Sequence, residues 1–213
     1  MHLIVLHTVL LGLAAFLLGA LPFSVIIGRI FLHKDITDYG DGNPGAANVF
    51  RAGGGKLGYL AVFLDILKGI PLVFISHVLF DLPMLSVVIV AVCAVTGHAF
   101  SPFLHWRGGK SIAITFGVLI ALPEHEILIA FVILMVLCNV VIRPEAWSVM
   151  IAAVSALAFL FFSDAVAWER LLMLCLLAIF TVKHFRELRN APGFGGFLFR
   201  WIQSLLRDTT TGA

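Results

Sequence analysis

The sequence predicts an all-α, polytopic membrane protein: a bundle of seven transmembrane helices with the N-terminus outside and the C-terminus in the cytoplasm. Three observations carry this expectation. Hydrophobic residues make up 61% of the 213 and charged residues only 12%, about half the roughly 25% of a typical soluble domain. The mean hydropathy is +1.08. The apolar residues fall into long runs divided by polar breaks, the pattern of successive membrane spans. So few charges cannot cover the interior of a water-soluble globule of this length. A soluble enzyme, a disordered chain and a nucleic-acid-binding domain are all excluded as readings.

The first span covers about residues 3–31. No basic residue precedes its apolar core and the stretch is too long for a signal peptide, so it is expected to be retained. The second and third spans cover about residues 57–80 and 84–104. The fourth, about 111–122, and the seventh, about 171–182, are shorter than a perpendicular crossing needs. They are expected to be extended by polar flanks, tucked against neighbours or partly re-entrant. The fifth and sixth cover about 127–142 and 147–162. The membrane domain is then 1–192, and 193–213 form a cytoplasmic tail. Within the tail, residues 197–207 mix Phe197, Trp201 and Leu205 with Arg200 and Arg207. That stretch is either an interfacial amphipathic segment or a frayed end.

Charge placement sets the orientation. Arg29, Lys34, Arg51 and Lys56 follow the first span, Arg107 and Lys110 the third, and Arg143 the fifth. Lys183, Arg186, Arg189, Arg200 and Arg207 follow the seventh. The opposite connections carry Asp81, Glu124, Glu126, Asp164 and Glu169, with Arg170 the exception. The positive-inside rule makes the basic side cytoplasmic. Cys93, Cys138 and Cys175 each lie inside an apolar run with no partner at ligand spacing. They are read as small buried hydrophobes, with neither a metal site nor a disulfide framework.

Two polar loops on the basic side stand out. The first contains Gly40, Asp41, Gly42, Asn43, Pro44, Gly45 and Asn48, followed by Arg51. Its glycines permit left-handed backbone and close approach of a ligand, and successive N–H groups beside Arg51 can form an anion nest. A flexible surface loop is the competing reading. The second runs from Gly97 and His98 to Arg107, Gly108, Gly109, Lys110 and Ser111, opening the fourth span. A helix N-terminus there suits a phosphate. It is no P-loop, since Leu104 stands where the first glycine would be.

Ions also lie inside the membrane. Asp65 and Lys68, three residues apart in the second span, share a helical face. Lys68 either pairs with Asp65 or lines a polar cavity; intramembrane charges are costly and commonly functional. Arg29, Arg51 and Lys110 can converge with it on one inner-leaflet anionic site. His98 and His184, at cytoplasmic span ends, are candidates for a general base or a phosphate donor, with boundary histidines of no chemical role as the alternative.

Taken together, four ordered segments resemble the bacterial acyl-phosphate:glycerol-3-phosphate acyltransferases, the PlsY family. They are Gly19-Ala20-Leu21-Pro22-Phe23 with Gly28-Arg29; the loop from Tyr39 through Asn43, Gly45 and Asn48 to Arg51; Asp65, Lys68 and Gly69; and Gly97-His98 through Phe100, Phe103, Trp106, Arg107, Gly108, Gly109 and Lys110. His184 matches a histidine at the last cytoplasmic boundary. The chain departs from the family pattern at Ala20, Asp41 and Ala47, where the family has serine, serine and threonine. It departs again at Ser111 in place of a glycine, at Glu187 in place of an asparagine, and at Pro71, one residue early. Asp41 and Glu187 add negative charge where an anionic substrate would bind.

The resemblance implies a seven-helix enzyme of the bacterial cytoplasmic (inner) membrane, its site facing the cytoplasm. The reaction implied transfers a fatty acyl group from acyl phosphate to glycerol 3-phosphate, needing no cofactor and no metal. Its partners are these two substrates and the bilayer. Acyl phosphate is already activated, so a covalent acyl-enzyme is not required, and no Ser-His-Asp constellation is visible. Arg51, Arg107, Lys110 and the Gly108-Gly109 backbone are expected to hold phosphate. Gly40, Gly42, Asn43, Gly45 and Asn48 would shape the acceptor pocket. Lys68 and Arg29 would neutralise the donor phosphoryl group, and His184 or His98 would orient the hydroxyl or shuttle its proton. The substrate phosphate itself is the alternative proton acceptor. A divergent paralogue acylating another polar or phosphorylated acceptor, and a non-enzymatic phospholipid-binding or transport protein, are the competing functions.

Overall fold

The computed structural model describes residues 1–194; the amphipathic segment expected at 197–207 lies outside them. The regular secondary structure of the described residues is helical apart from one two-residue antiparallel pair, β1 (Ile142–Arg143) with β2 (Gly193–Phe194). Among the described residues, four helical stretches are long and apolar enough to cross a membrane: His2–Leu32, Gly55–Leu79, Met84–Leu104 and Glu145–Phe162. Their outward faces are apolar. Leu3, Leu13, Phe63 and Phe162 are all more than half exposed, as lipid-facing side chains are. The chain forms two compact units, Met1–His125 and a second beginning at Glu126.

In the first unit the first span, expected at about 3–31, is found as the stretch His2–Leu32, but it is interrupted part-way. Helix α1 (His2–Ala20) stops at Leu21, whose φ −57° and ψ 122° leave the helical region. Pro22 is the cause: it lacks an N–H and disfavours helical backbone at the residue before it. The chain resumes as α2 (Phe23–Ile27) and a π-helical turn, Gly28–Leu32. After the short α3 (Ala46–Arg51), the second span is broken in the same way. Helix α4 (Gly55–Leu67) ends ahead of Pro71, which opens α5 (Pro71–Phe74) and a π-helical turn, Ile75–Leu79. Helix α6 (Met84–Ala99) is followed by a 3-10 turn, Pro102–Leu104, and α7 (Ile112–Ala121) is only 10 residues long.

Glycines let these helices touch. A Cβ on Gly97 of α6 would run into the Phe16 carbonyl of α1, and one on Gly19 into the Ala94 carbonyl. Gly117 of α7 meets the Ile66 carbonyl of α4 in the same manner. Small residues give membrane helices the close approach that drives their packing. Gly97→Val is therefore expected to destabilise the protein by about 1–3 kcal/mol through overpacking. Unfolding in mixed micelles measures it, and unchanged stability would mean the two helices part at no cost.

The long polar loop is not a free surface loop. Ile36 and Val49 are fully buried in a cluster with Val25, Ile27, Ala52 and Ala61. Leu32 and Tyr39 pack against that cluster, and Lys34 Nζ donates to the Ala52 carbonyl at 2.7 Å. The loop is fastened at both ends to the helices beneath it.

The second unit contains α8 (Glu126–Val141), α9 (Glu145–Phe162) and α10 (Ala167–Leu188). Phe131 of α8 stacks on Phe180 of α10 at 5.9 Å between centroids. Helix α10 spans 22 residues and outruns the apolar stretch 171–182 at both ends. At its start the Val166 N–H donates to the Glu169 carboxylate at 3.0 Å, which secures the first turn. At its end Lys183, Arg186 and Glu187 continue as good helix formers. His184 is accordingly inside the helix and fully buried.

Candidate active site

The break at Leu21–Pro22 builds the centre of the first unit. A helix end leaves carbonyls without intrahelical partners, and side chains from other elements take them up. Ser101 Oγ donates to the Ala20 carbonyl at 2.6 Å, and Lys68 Nζ donates to the Leu21 carbonyl at 2.7 Å. Lys68 lies where the second span is interrupted, and its ammonium also pairs with Asp65 Oδ1 at 2.7 Å. Both side chains are under 5% exposed. Ser24 Oγ donates to the other carboxylate oxygen, Oδ2, at 3.1 Å. His98 Nδ1 stands 3.7 Å from Oδ1. Of the two sequence readings of Lys68, the structure thus joins both: it is paired, and it lines a cavity.

That cavity is a small open pocket. Phe23 and Leu104 give it apolar surface, and Lys68 and His98 give it polar surface. Pro44 of the first glycine-rich loop and Gly109 of the second also line it. The two polar loops singled out in the sequence therefore meet at one place.

Beside it lies a second, more open cluster centred on Asp41. Lys110 Nζ is 2.6 Å from Asp41 Oδ2, and an Arg51 guanidinium nitrogen is 3.6 Å from Oδ1. The Asn43 N–H and the Asn48 amide both donate to Oδ1, at 3.2 and 3.0 Å. Asn48 also donates to the Asn43 carbonyl at 2.9 Å and accepts from Arg51 at 2.7 Å. Gly40 and Gly42, at φ 58° and 71°, flank Asp41 with left-handed backbone that favours glycine. Burial pushes the Asp41 carboxyl up, but the hydrogen bond and charge of Lys110, with the Asn43 and Asn48 donors, outweigh it. The net result holds the group below the usual carboxylate range.

Other expected site residues are placed differently. Arg29 is 64% exposed and bound to Asp35 at 3.2 Å, outside the lining of the pocket. Arg107 is exposed. The Gly109 N–H is taken by the His98 carbonyl at 3.0 Å. A Cβ on Gly108 or Gly109 would strike His98, so this glycine pair serves to lay the loop against α6. Gly45 is buried at the start of α3. His184, in the second unit, has Nδ1 3.8 Å from Glu187 and packs edge-on to Phe180.

The family model for glycerol-3-phosphate acyltransferase matches residues 9–191. The chain belongs to the glycerol-3-phosphate acyltransferase family. A family member from Wolbachia pipientis subsp. Culex pipiens (strain wPip) is 34% identical over 176 residues, covering 83% of this chain and 90% of its own. Two crystal structures of PlsY (YgiH), an integral membrane glycerol 3-phosphate acyltransferase, share the fold. The glycerol 3-phosphate form matches with a TM-score of 0.73 at 26% identity, over 85% of this chain and 90% of that one. The lysophosphatidic acid form matches with a TM-score of 0.74 at 28% identity, over 90% and 96%.

In this acyltransferase three contributors to the pocket, Ser24, Ser101 and the Leu21 carbonyl, carry little or no sequence signal. Ser24 lies one helical turn beyond Ala20, the only signal that marked it. Ser101 sits in a motif position where any residue fits, and a carbonyl has no letter in the sequence.

Proposed function

We propose that this chain transfers a fatty acyl group from acyl phosphate to a hydroxyl of glycerol 3-phosphate, giving 1-acylglycerol 3-phosphate and phosphate. The observation that carries the proposal is the meeting of both glycine-rich loops at a part-apolar pocket holding the buried Asp65–Lys68 pair, with Arg51 and Lys110 clustered beside it. Apolar and cationic surfaces side by side suit one amphiphilic and one water-soluble anionic substrate. The solved relatives carry glycerol 3-phosphate and lysophosphatidic acid in their respective forms.

In this mechanism the acceptor hydroxyl oxygen attacks the acyl carbonyl carbon. The bond from that carbon to the bridging phosphate oxygen breaks, and phosphate leaves with the electron pair. Lys68 balances charge on the donor phosphoryl group, while Lys110 and Arg51 anchor the acceptor phosphate. Asn43 and Asn48 shape the acceptor pocket. His98, which lines the pocket, orients the hydroxyl and takes its proton, or the leaving phosphate takes it directly. Positioning and fixed charge supply most of the acceleration. Arg29 and Arg107 serve as outer cations that draw anionic substrates in.

The proposed setting is a bacterial inner membrane crossed seven times, with the C-terminus and the active site cytoplasmic. Its support is the collection of twelve of the fourteen basic residues on one side of the predicted spans. The test supplies labelled glycerol 3-phosphate and acyl phosphate to purified protein, with acyl-CoA as a control donor. Label is expected in a lysophospholipid with acyl phosphate only. Folded protein that makes no acylated product with this pair would overturn the proposal.

A further inference from the structure

We propose that the Asp41 carboxylate is a resident competitor for the phosphate-anchoring cations, set into the acceptor site to weaken its hold on phosphate. The inference rests on the reading of Lys110 and Arg51 as phosphate anchors.

Among the described residues, the groups bonded to the Asp41 carboxylate are donors. Lys110 reaches Oδ2 at 2.6 Å, and Arg51 approaches Oδ1 at 3.6 Å. The Asn43 N–H and Asn48 amide complete the set on Oδ1. Two cations, a backbone N–H and a side-chain amide are what an anion site offers a phosphate. Here the chain fills that site with its own carboxylate. The placement is built rather than incidental. Left-handed glycines at 40 and 42 hold Asp41 from both sides, and α3 supplies Asn48 and Arg51 from a buried anchorage at Val49. The Asp41 side chain is 29% exposed and that of Lys110 only 17%, so the pair is partly shielded from water and from salt.

An incoming phosphate must either displace the carboxylate from Lys110 or lie next to it. The first breaks a charge-assisted bond; the second sets two anions side by side. Both weaken binding of the phosphorylated acceptor, and both weaken in the same way the binding of the 1-acylglycerol 3-phosphate product, which keeps the acceptor's phosphate. Asp41 therefore exchanges acceptor affinity for easier product release, and it penalises dianionic head groups more than weakly charged ones.

Equilibrium binding of inorganic phosphate and of glycerol 3-phosphate to the purified full chain tests this, with KM alongside. Asp41→Asn keeps an oxygen for the Asn43 and Asn48 donors and removes the charge; Asp41→Ser is the second variant. Each is expected to tighten both ligands about three- to tenfold, the size of a partly exposed ion pair. In a Lys110→Ala background the same Asp41→Asn change is expected to have little effect, because its target is gone. Unchanged or weaker phosphate binding in both Asp41 variants would overturn the proposal and leave Asp41 as a loop-building residue. An equal gain with and without Lys110 would overturn the competition through that lysine. If Lys110→Ala alone leaves phosphate binding intact, it is the assignment of the anchors that fails, whatever Asp41 does.

Discussion

Replacing Asp65 by alanine is expected to destabilise the protein by about 3–5 kcal/mol, the cost of stranding one partner of a buried ion pair. Asp65 and Lys68 are both under 5% exposed and 2.7 Å apart. The loss spreads beyond the pair. Ser24 loses the acceptor it now uses at 3.1 Å, and the His98 ring loses the carboxylate 3.7 Å from its Nδ1. Lys68 keeps the Leu21 carbonyl and the face of the Phe23 ring, neutral groups where a full charge stood. The double variant Asp65→Ala, Lys68→Met is expected to recover much of the stability, since an apolar pair of similar bulk avoids the desolvation problem. It is expected not to recover activity, because Lys68 is assigned to the donor phosphoryl group. Unfolding in mixed micelles, read beside turnover, separates the two effects. A single-variant cost below about 1 kcal/mol would show that the pair behaves like an exposed one.

Lys110→Ala is expected to raise KM for glycerol 3-phosphate about ten- to hundredfold, the loss of one charge-assisted bond to phosphate. Its effect on stability should be small, within about 1 kcal/mol, because the bond to Asp41 is part-exposed and Arg51 remains near the carboxylate. The pattern is thus opposite to that at Asp65, where the fold suffers first. An unchanged KM would remove Lys110 from the acceptor site.

Much of this molecule was legible in its sequence, and what was hidden shares a physical character. Apolar runs gave the helical stretches because burial in lipid demands long continuous segments. The spacing of Asp65 and Lys68 announced a pair because i and i+3 share a face of any helix. Pro22 and Pro71 were visible, yet the first span still read as continuous, since hydropathy is blind to a missing N–H. Contacts across the fold were harder. Lys110 was read as free to meet a substrate, whereas the structure sets it on Asp41, a residue from a different loop. Ser24 joins Asp65 across 41 positions, which no local pattern encodes. The seventh apolar run ended at 182, so His184 looked like a boundary residue. Helix propensity carried α10 past it, and the imidazole is buried.

Leu21 repays one further thought. It holds the ammonium of Lys68 through its carbonyl alone, so any amino acid at this position that tolerates the turn offers the same oxygen. An alanine scan across the segment would return silence at position 21, and natural drift there would look unconstrained. The residue expected to show constraint is its neighbour Pro22, which makes no bond to the lysine but aims the oxygen. Mutational maps of such a centre would point one residue away from the atom that matters.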